Sequence, residues 1–122
     1  MKGFRSLLAL ASSLWLLAPT VASAQSVRPL PLAQPKAANL ARMRAESLNG
    51  GLGTYRAASC MYETGAPSCL ESVSEQGFLF QFQGGAPGWQ QQTPSDPTLE
   101  TRILVSRDGD RILEVLYNGS IR

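Results

Sequence analysis

The 122-residue sequence contains no histidine. That removes the commonest general base and the commonest metal ligand, and it excludes any Ser-His-Asp or Cys-His catalytic site. Lysine is nearly as scarce. Only Lys2 and Lys36 occur, and Lys36 adjoins a proline-rich stretch, a poor setting for a buried amine of lowered pKa. Cysteine is confined to Cys60 and Cys69. Their spacing is not the CxxC of a redox dithiol, and two thiolates without histidine make a poor zinc site. No metal and no cofactor is expected.

Charge of one sign is missing too. The formal net charge is +2, from 11 basic and 9 acidic residues, and Lys2 with Arg5 accounts for all of it. The rest of the chain is formally neutral and has no run of like charges, so no nucleic-acid partner is expected. Glycosidase chemistry would need only two carboxylates. Glu63, Glu71, Glu75, Asp96 and Glu100 show no pairing pattern, and their expected state is solvated charge. Asp108 and Asp110 flank Gly109 without an oxygen-rich calcium loop around them. Gly50-Gly51-Leu52-Gly53 follows a helical stretch, so it reads as a helix stop and not as a phosphate cradle. Asn118-Gly119-Ser120 fits the glycosylation sequon and reads as a terminal turn.

What is present begins with an export pattern. Lys2 and Arg5 precede an apolar run from Leu7 to Leu17, Pro19 breaks it, and Ala22-Ser23-Ala24 supplies the small residues of a cleavage site. Residues 1–24 read as a signal peptide, leaving a mature chain of roughly 100 residues from Gln25, enough for one small domain. The expected location is periplasmic or extracellular. A membrane association is expected only if the segment stays uncleaved, and its dense apolar core is short for a span. In an oxidising compartment Cys60 and Cys69 form a structural disulfide.

Residues 25–35 hold Pro29, Pro31 and Pro35 and read as an extended linker. Residues 36–122 form a single domain. Lys36 to Asn49 is the clear helix, with Ala37, Leu40, Ala41, Ala45 and Leu48 on one stripe and Asn49-Gly50-Gly51 as its stop. Strands follow: Thr54 to Tyr62, then Cys69 to Ser74, with the disulfide stapling that hairpin. Phe78 to Gln83 alternates Phe78, Phe80 and Phe82 against Gln81 and Gln83, and Leu99 to Val105 and Ile112 to Tyr117 alternate as well. The fold class is α+β, one N-terminal helix packed on a four- or five-stranded antiparallel meander.

The last hairpin permits a register. A two-residue turn at Asp108-Gly109 would set Glu114 opposite Ile103 on the apolar face. A three-residue loop, Arg107-Asp108-Gly109 with Gly109 left-handed, pairs Ile103 with Leu113, Thr101 with Val115, Leu99 with Tyr117 and Arg102 with Glu114. That register separates polar from apolar and is the expected one.

The long connection "GGAPGWQQQTPSDPT", Gly84 to Thr98, is the candidate site. Loops of this length in a small domain are uncommon and often functional. Trp89, Gln90, Gln91 and Gln92 are the candidate binding residues, with Tyr62 or Tyr55 as neighbours. Structural cover, with Trp89 folded over the sheet edge, is the first reading of this loop, and the binding loop is the alternative to it.

A helix followed by an antiparallel meander resembles the cystatin-type fold. Gln81-Phe82-Gln83-Gly84-Gly85 matches only the first Gln and final Gly of the cystatin inhibitory hairpin, and Pro87-Gly88-Trp89 carries an inserted glycine, so no inhibitory role follows. The combination "NGGLGTYRAASCMY", "GWQQQ", "TLETRILVSRDG" and "YNG" resembles a family of small exported cyanobacterial proteins with no assigned function. That resemblance implies a signal-bearing domain and no particular activity. The sequence thus points to a small exported, non-enzymatic domain that binds or packs against a cell-envelope component. The alternatives are an inhibitor-like or carbohydrate-binding module using the Trp89 loop, and a small carboxylate-based hydrolase.

Overall fold

The computed structural model describes Gly3 and residues 30–122; the rest of the segment read as a signal peptide, with its cleavage site, and residues 25–29 of the expected linker lie outside the described residues. One helix, α1 (Ala33–Leu48), packs on a five-stranded antiparallel sheet made of β1 (Arg56–Ala57), β2 (Leu70–Val73), β3 (Phe78–Gly85), β4 (Leu99–Val105) and β5 (Ile112–Ser120). The order across the sheet is β1-β3-β4-β5, and β2 shares with β1 the outer edge of β3. No helix among the described residues is long and apolar enough to cross a membrane.

The helix starts at Ala33, earlier than Lys36, and takes Pro35 into its first turn. Proline is tolerated there, because the first amides of a helix have no intrahelical partner. The hairpin tip fixes this start. Gly109, at φ +77°, lies so close that a Cβ would meet the Ala33 carbonyl oxygen at 2.4 Å. Lys36 also pairs with Asp110 at 2.6 Å. The buried stripe is almost purely alanine, Ala33, Ala37, Ala38, Ala41 and Ala45, whereas Leu48 is exposed. Side chains this small let the helix axis lie close to the sheet, where Phe78, Phe80, Phe82, Ile103 and Val105 fill the core.

The segment expected as a first long strand is strand only at Arg56–Ala57. From Ser59 to Tyr62 it winds into a 3-10 turn, and Pro67–Cys69 forms another. β1 and β2 therefore do not form a hairpin with each other; each pairs with β3, β1 at Gly84 and Gly85 and β2 at Phe78 to Phe80. The Cys60–Cys69 disulfide is present and ties the two 3-10 turns together, closing a loop of sequence separation 9. The chain-entropy model values such a loop at roughly 2.5–3 kcal/mol.

The register of the last hairpin differs from the expected one. Ser106 and Arg111 close the turn, with the Ser106 amide donating to the Arg111 carbonyl at 2.8 Å and the Arg111 amide to Ser106 Oγ at 3.0 Å. Val105 then faces Ile112, the register of the short turn. The clash that this register would create at Ile103 is removed by irregularities in β5. One places Leu104 opposite Glu114 and Ile103 opposite Val115, and a second places Arg102 opposite Tyr117, Thr101 opposite Asn118 and Leu99 opposite Ser120. The requirement that Glu114 leave the apolar face holds, and an extra residue in the strand meets it instead of a longer loop.

Asn118 belongs to β5 and not to a terminal turn. Its side-chain amide and that of Asn49 exchange two hydrogen bonds of 3.0 Å each. The Thr101 hydroxyl donates to Asn118 Oδ1 at 2.8 Å, and Asn49 Nδ2 also donates to the Ala45 carbonyl at 2.8 Å. These side chains clasp the end of α1 to the last strand.

Candidate functional site

The connection from β3 to β4 is ordered by its own side chains. Trp89 opens a short 3-10 turn, Trp89–Gln91, after Gly88. Its indole is 6 % exposed and donates Nε1–H to the Arg56 carbonyl at 2.8 Å. Gln90 reaches the same edge strand. Its Oε1 accepts the Ser59 amide at 2.8 Å and its Nε2 donates to the Ala57 carbonyl at 3.3 Å. One side-chain amide thus takes an acceptor and a donor two residues apart, as the peptide group of a neighbouring strand would. The outer edge of β1 is closed by these two side chains, which suits a short edge that would otherwise leave polar backbone groups unpaired.

The space left between this loop and the Ser59–Tyr62 turn is a cleft of about 430 Å³. Four of the five candidate residues, Tyr62, Trp89, Gln90 and Gln91, line it together with Arg56 and Pro87. Gln92 is exposed but does not line it. Tyr62 is 49 % exposed, and the Arg42 guanidinium lies 4.8 Å from its ring centroid. Arg42 is itself anchored to the Met61 carbonyl and to Glu46. Arg56 was not singled out in the sequence, because its position on the cleft depends on the short β1 and on where Trp89 folds back.

Tyr55, offered as a neighbour, is instead a core residue at 1 % exposure. Its ring presses against β3 at Gly84, where an added Cβ would meet the ring at 2.3 Å. Its hydroxyl has no hydrogen-bond partner. Burial pushes its pKa up to about 12, and the neighbouring Thr101 hydroxyl, which could oppose this only by donating to the phenolate, gives its proton to Asn118 instead. As pH rises above 10.0 the unfolded phenol ionises while the folded one stays neutral, so stability held below that pH is lost on the way to about 12. One pH unit into this window the loss is about 1.4 kcal/mol. Urea melts of the parent and Tyr55→Phe at pH 9 and 11 should differ by that amount, the variant losing less. Equal losses in both would show that Tyr55 ionises as freely folded as unfolded.

The sheet face turned away from α1 carries a second polar array. Glu71 accepts two hydrogen bonds from Arg102, Nε to Oε2 at 2.9 Å and Nη2 to Oε1 at 2.8 Å, and the guanidinium holds this carboxyl below the usual range. Glu100 accepts from Gln81 and lies 3.8 Å from Arg122 Nε. Glu71, Gln81, Glu100 and Arg122 border a groove of about 600 Å³ in the notch between β1 and β2. Each carboxylate there is already engaged by a donor. Among the described residues no group of three or more Cys, Asp and Glu side chains is placed to hold a metal ion.

No family model, curated protein or solved structure matches this chain. Within the cleft Trp89 and Gln90 form the frame, and Tyr62, Arg56 and Gln91 are the side chains left open to solvent.

Proposed function

We propose that the chain is a small exported, non-enzymatic domain that contacts a component of the cell envelope through the Tyr62–Trp89 cleft. The observation that supports this reading is the division of labour in the loop. Two side chains are spent holding the edge strand, and exposed aromatic, amide and guanidinium groups stand on the frame they make. Preorganised groups of this kind lose little entropy on binding. The disulfide links the Tyr62 turn to the second 3-10 turn, which is consistent with an oxidising compartment. Structural cover, the first reading of the loop, applies to Trp89 itself, since its indole is buried and bonded.

The test uses the full chain expressed in its own cell envelope, with a photo-crosslinking residue placed at Gln91 or, as a control, at Glu114. A discrete crosslinked product from position 91 alone, abolished by Tyr62→Ala, is the expected outcome. Tyr62→Ala itself should cost no more than about 1 kcal/mol of stability, the worth of an exposed cation–π contact. Products from Glu114 and none from Gln91 would move the contact to the other side of the molecule. Intact mass of the soluble envelope fraction should show a chain starting at Gln25, two hydrogens lighter than its reduced form.

A further inference from the structure

Unlike two other clefts formed by the described residues, the Trp89 cleft has no carboxylate on its wall. The groove in the sheet notch carries Glu71 and Glu100 with Arg122. A hollow of about 460 Å³ beside the β4–β5 turn carries Glu75 and Asp108 with Arg107 and Arg111. In both, anion and cation stand together. In the Trp89 cleft the sole charged lining residue is Arg56, exposed and without an ion-pair partner among the described residues. A guanidinium with open donors presents a planar fork that fits a carboxylate in two-point fashion. Beside it stand the exposed Gln91 amide, which both donates and accepts, and the half-open ring of Tyr62.

We propose that the cleft takes an acidic saccharide, a glycan bearing uronate carboxylates. This rests on the cleft-binding reading above and names its ligand class. The carboxylate pairs with Arg56, ring hydroxyls exchange hydrogen bonds with Gln91, and the C–H face of the sugar packs on Tyr62. An extended peptide with an acidic side chain would offer the same charge, but it would seek the backbone edge of β1. That edge is filled: the Arg56 and Ala57 carbonyls and the Ser59 amide are bonded to Trp89 and Gln90. What remains open in the cleft is side-chain chemistry, which suits hydroxyls better than a main chain.

The deciding experiment titrates the folded protein, followed by amide and side-chain NMR shifts, with three probes: an oligogalacturonate, an oligogalactose of the same length, and a short Glu-rich peptide. Expected are shifts at Arg56, Tyr62 and Gln91 with the oligogalacturonate, weaker at high salt. Arg56→Gln, a surface change whose circular dichroism should match the parent, should weaken that binding at least about tenfold, the loss of charge-assisted hydrogen bonds. Equal binding of the neutral glycan, binding of the peptide alone, indifference to Arg56→Gln, or no binding at all would each overturn the saccharide inference. A Gln91 crosslink in the envelope without oligogalacturonate binding would sink this inference and leave the cleft reading standing. Absence of both would sink the two together.

Discussion

Gly84→Ala is expected to destabilise the domain by about 3 kcal/mol or more, the upper end of overpacking costs. The added Cβ would sit 2.3 Å from the Tyr55 ring, and the ring cannot retreat, because it is fully buried beneath the helix and sheet. The same glycine pairs with Ala57 of β1, so a displaced Tyr55 pushes the edge strand, and with it Arg56, out of place. For a domain of this size the loss corresponds to a melting temperature lower by about 4–8 °C per kcal/mol. Thermal melts of Gly84→Ala, Tyr55→Ala and the double variant give the check. The double variant should be much less destabilised than the sum, since removal of the ring vacates the space the methyl needs. Additive losses would show that Gly84 matters for a reason other than Tyr55.

Trp89→Ala is the second change of this size. A nearly buried indole is expected to cost about 3–5 kcal/mol on truncation. Trp89→Phe separates the two contributions of the side chain. It keeps most of the apolar cover and deletes the donor to the Arg56 carbonyl, so it should cost on the order of 1–3 kcal/mol for the carbonyl left unsatisfied. Denaturant unfolding followed by circular dichroism measures both. A Trp89→Ala variant as stable as the parent would mean that the loop is not what holds β1 in place, and that the tryptophan is free to serve a ligand directly.

The elements whose signal is local were legible in the sequence. The Phe78-x-Phe80-x-Phe82 alternation, the Leu99–Val105 strand and the Asn49-Gly50-Gly51 stop each repeat a period or a turn chemistry that a few residues suffice to specify. The disulfide followed from cysteine count and an export pattern. What was not legible depends on distant partners. Thr54 to Tyr62 has strand-like composition, yet only Arg56 and Ala57 find a ladder on β3, and from Ser59 the chain winds into a 3-10 turn that the disulfide ties to Pro67–Cys69. The β5 register obeyed the rule that Glu114 must leave the core, but a rule about faces cannot choose between a longer loop and an extra strand residue. The candidate site shows the same split. Trp89, Gln90 and Gln91 were identifiable as an aromatic and amide cluster in a long connection, with Tyr62 as an expected neighbour, and all four line one cleft. Their roles were not identifiable, since burial of Trp89 and the bonding of Gln90 to β1 appear only once the edge strand is in place.

The amide clasp between α1 and β5 bears on how long the molecule lasts as a covalent object. Asn49 and Asn118 are both followed by glycine, at Gly50 and Gly119. In a loose chain the nitrogen of such a glycine attacks the asparagine carbonyl, ammonia leaves, and hydrolysis of the ring yields a mixture of aspartate and its isomer. Here each asparagine side chain is held by the other, and Gly119 is paired opposite Glu100 in the sheet. The two junctions most exposed to this chemical ageing shield one another for as long as the fold persists, and each unfolding event starts the clock on both.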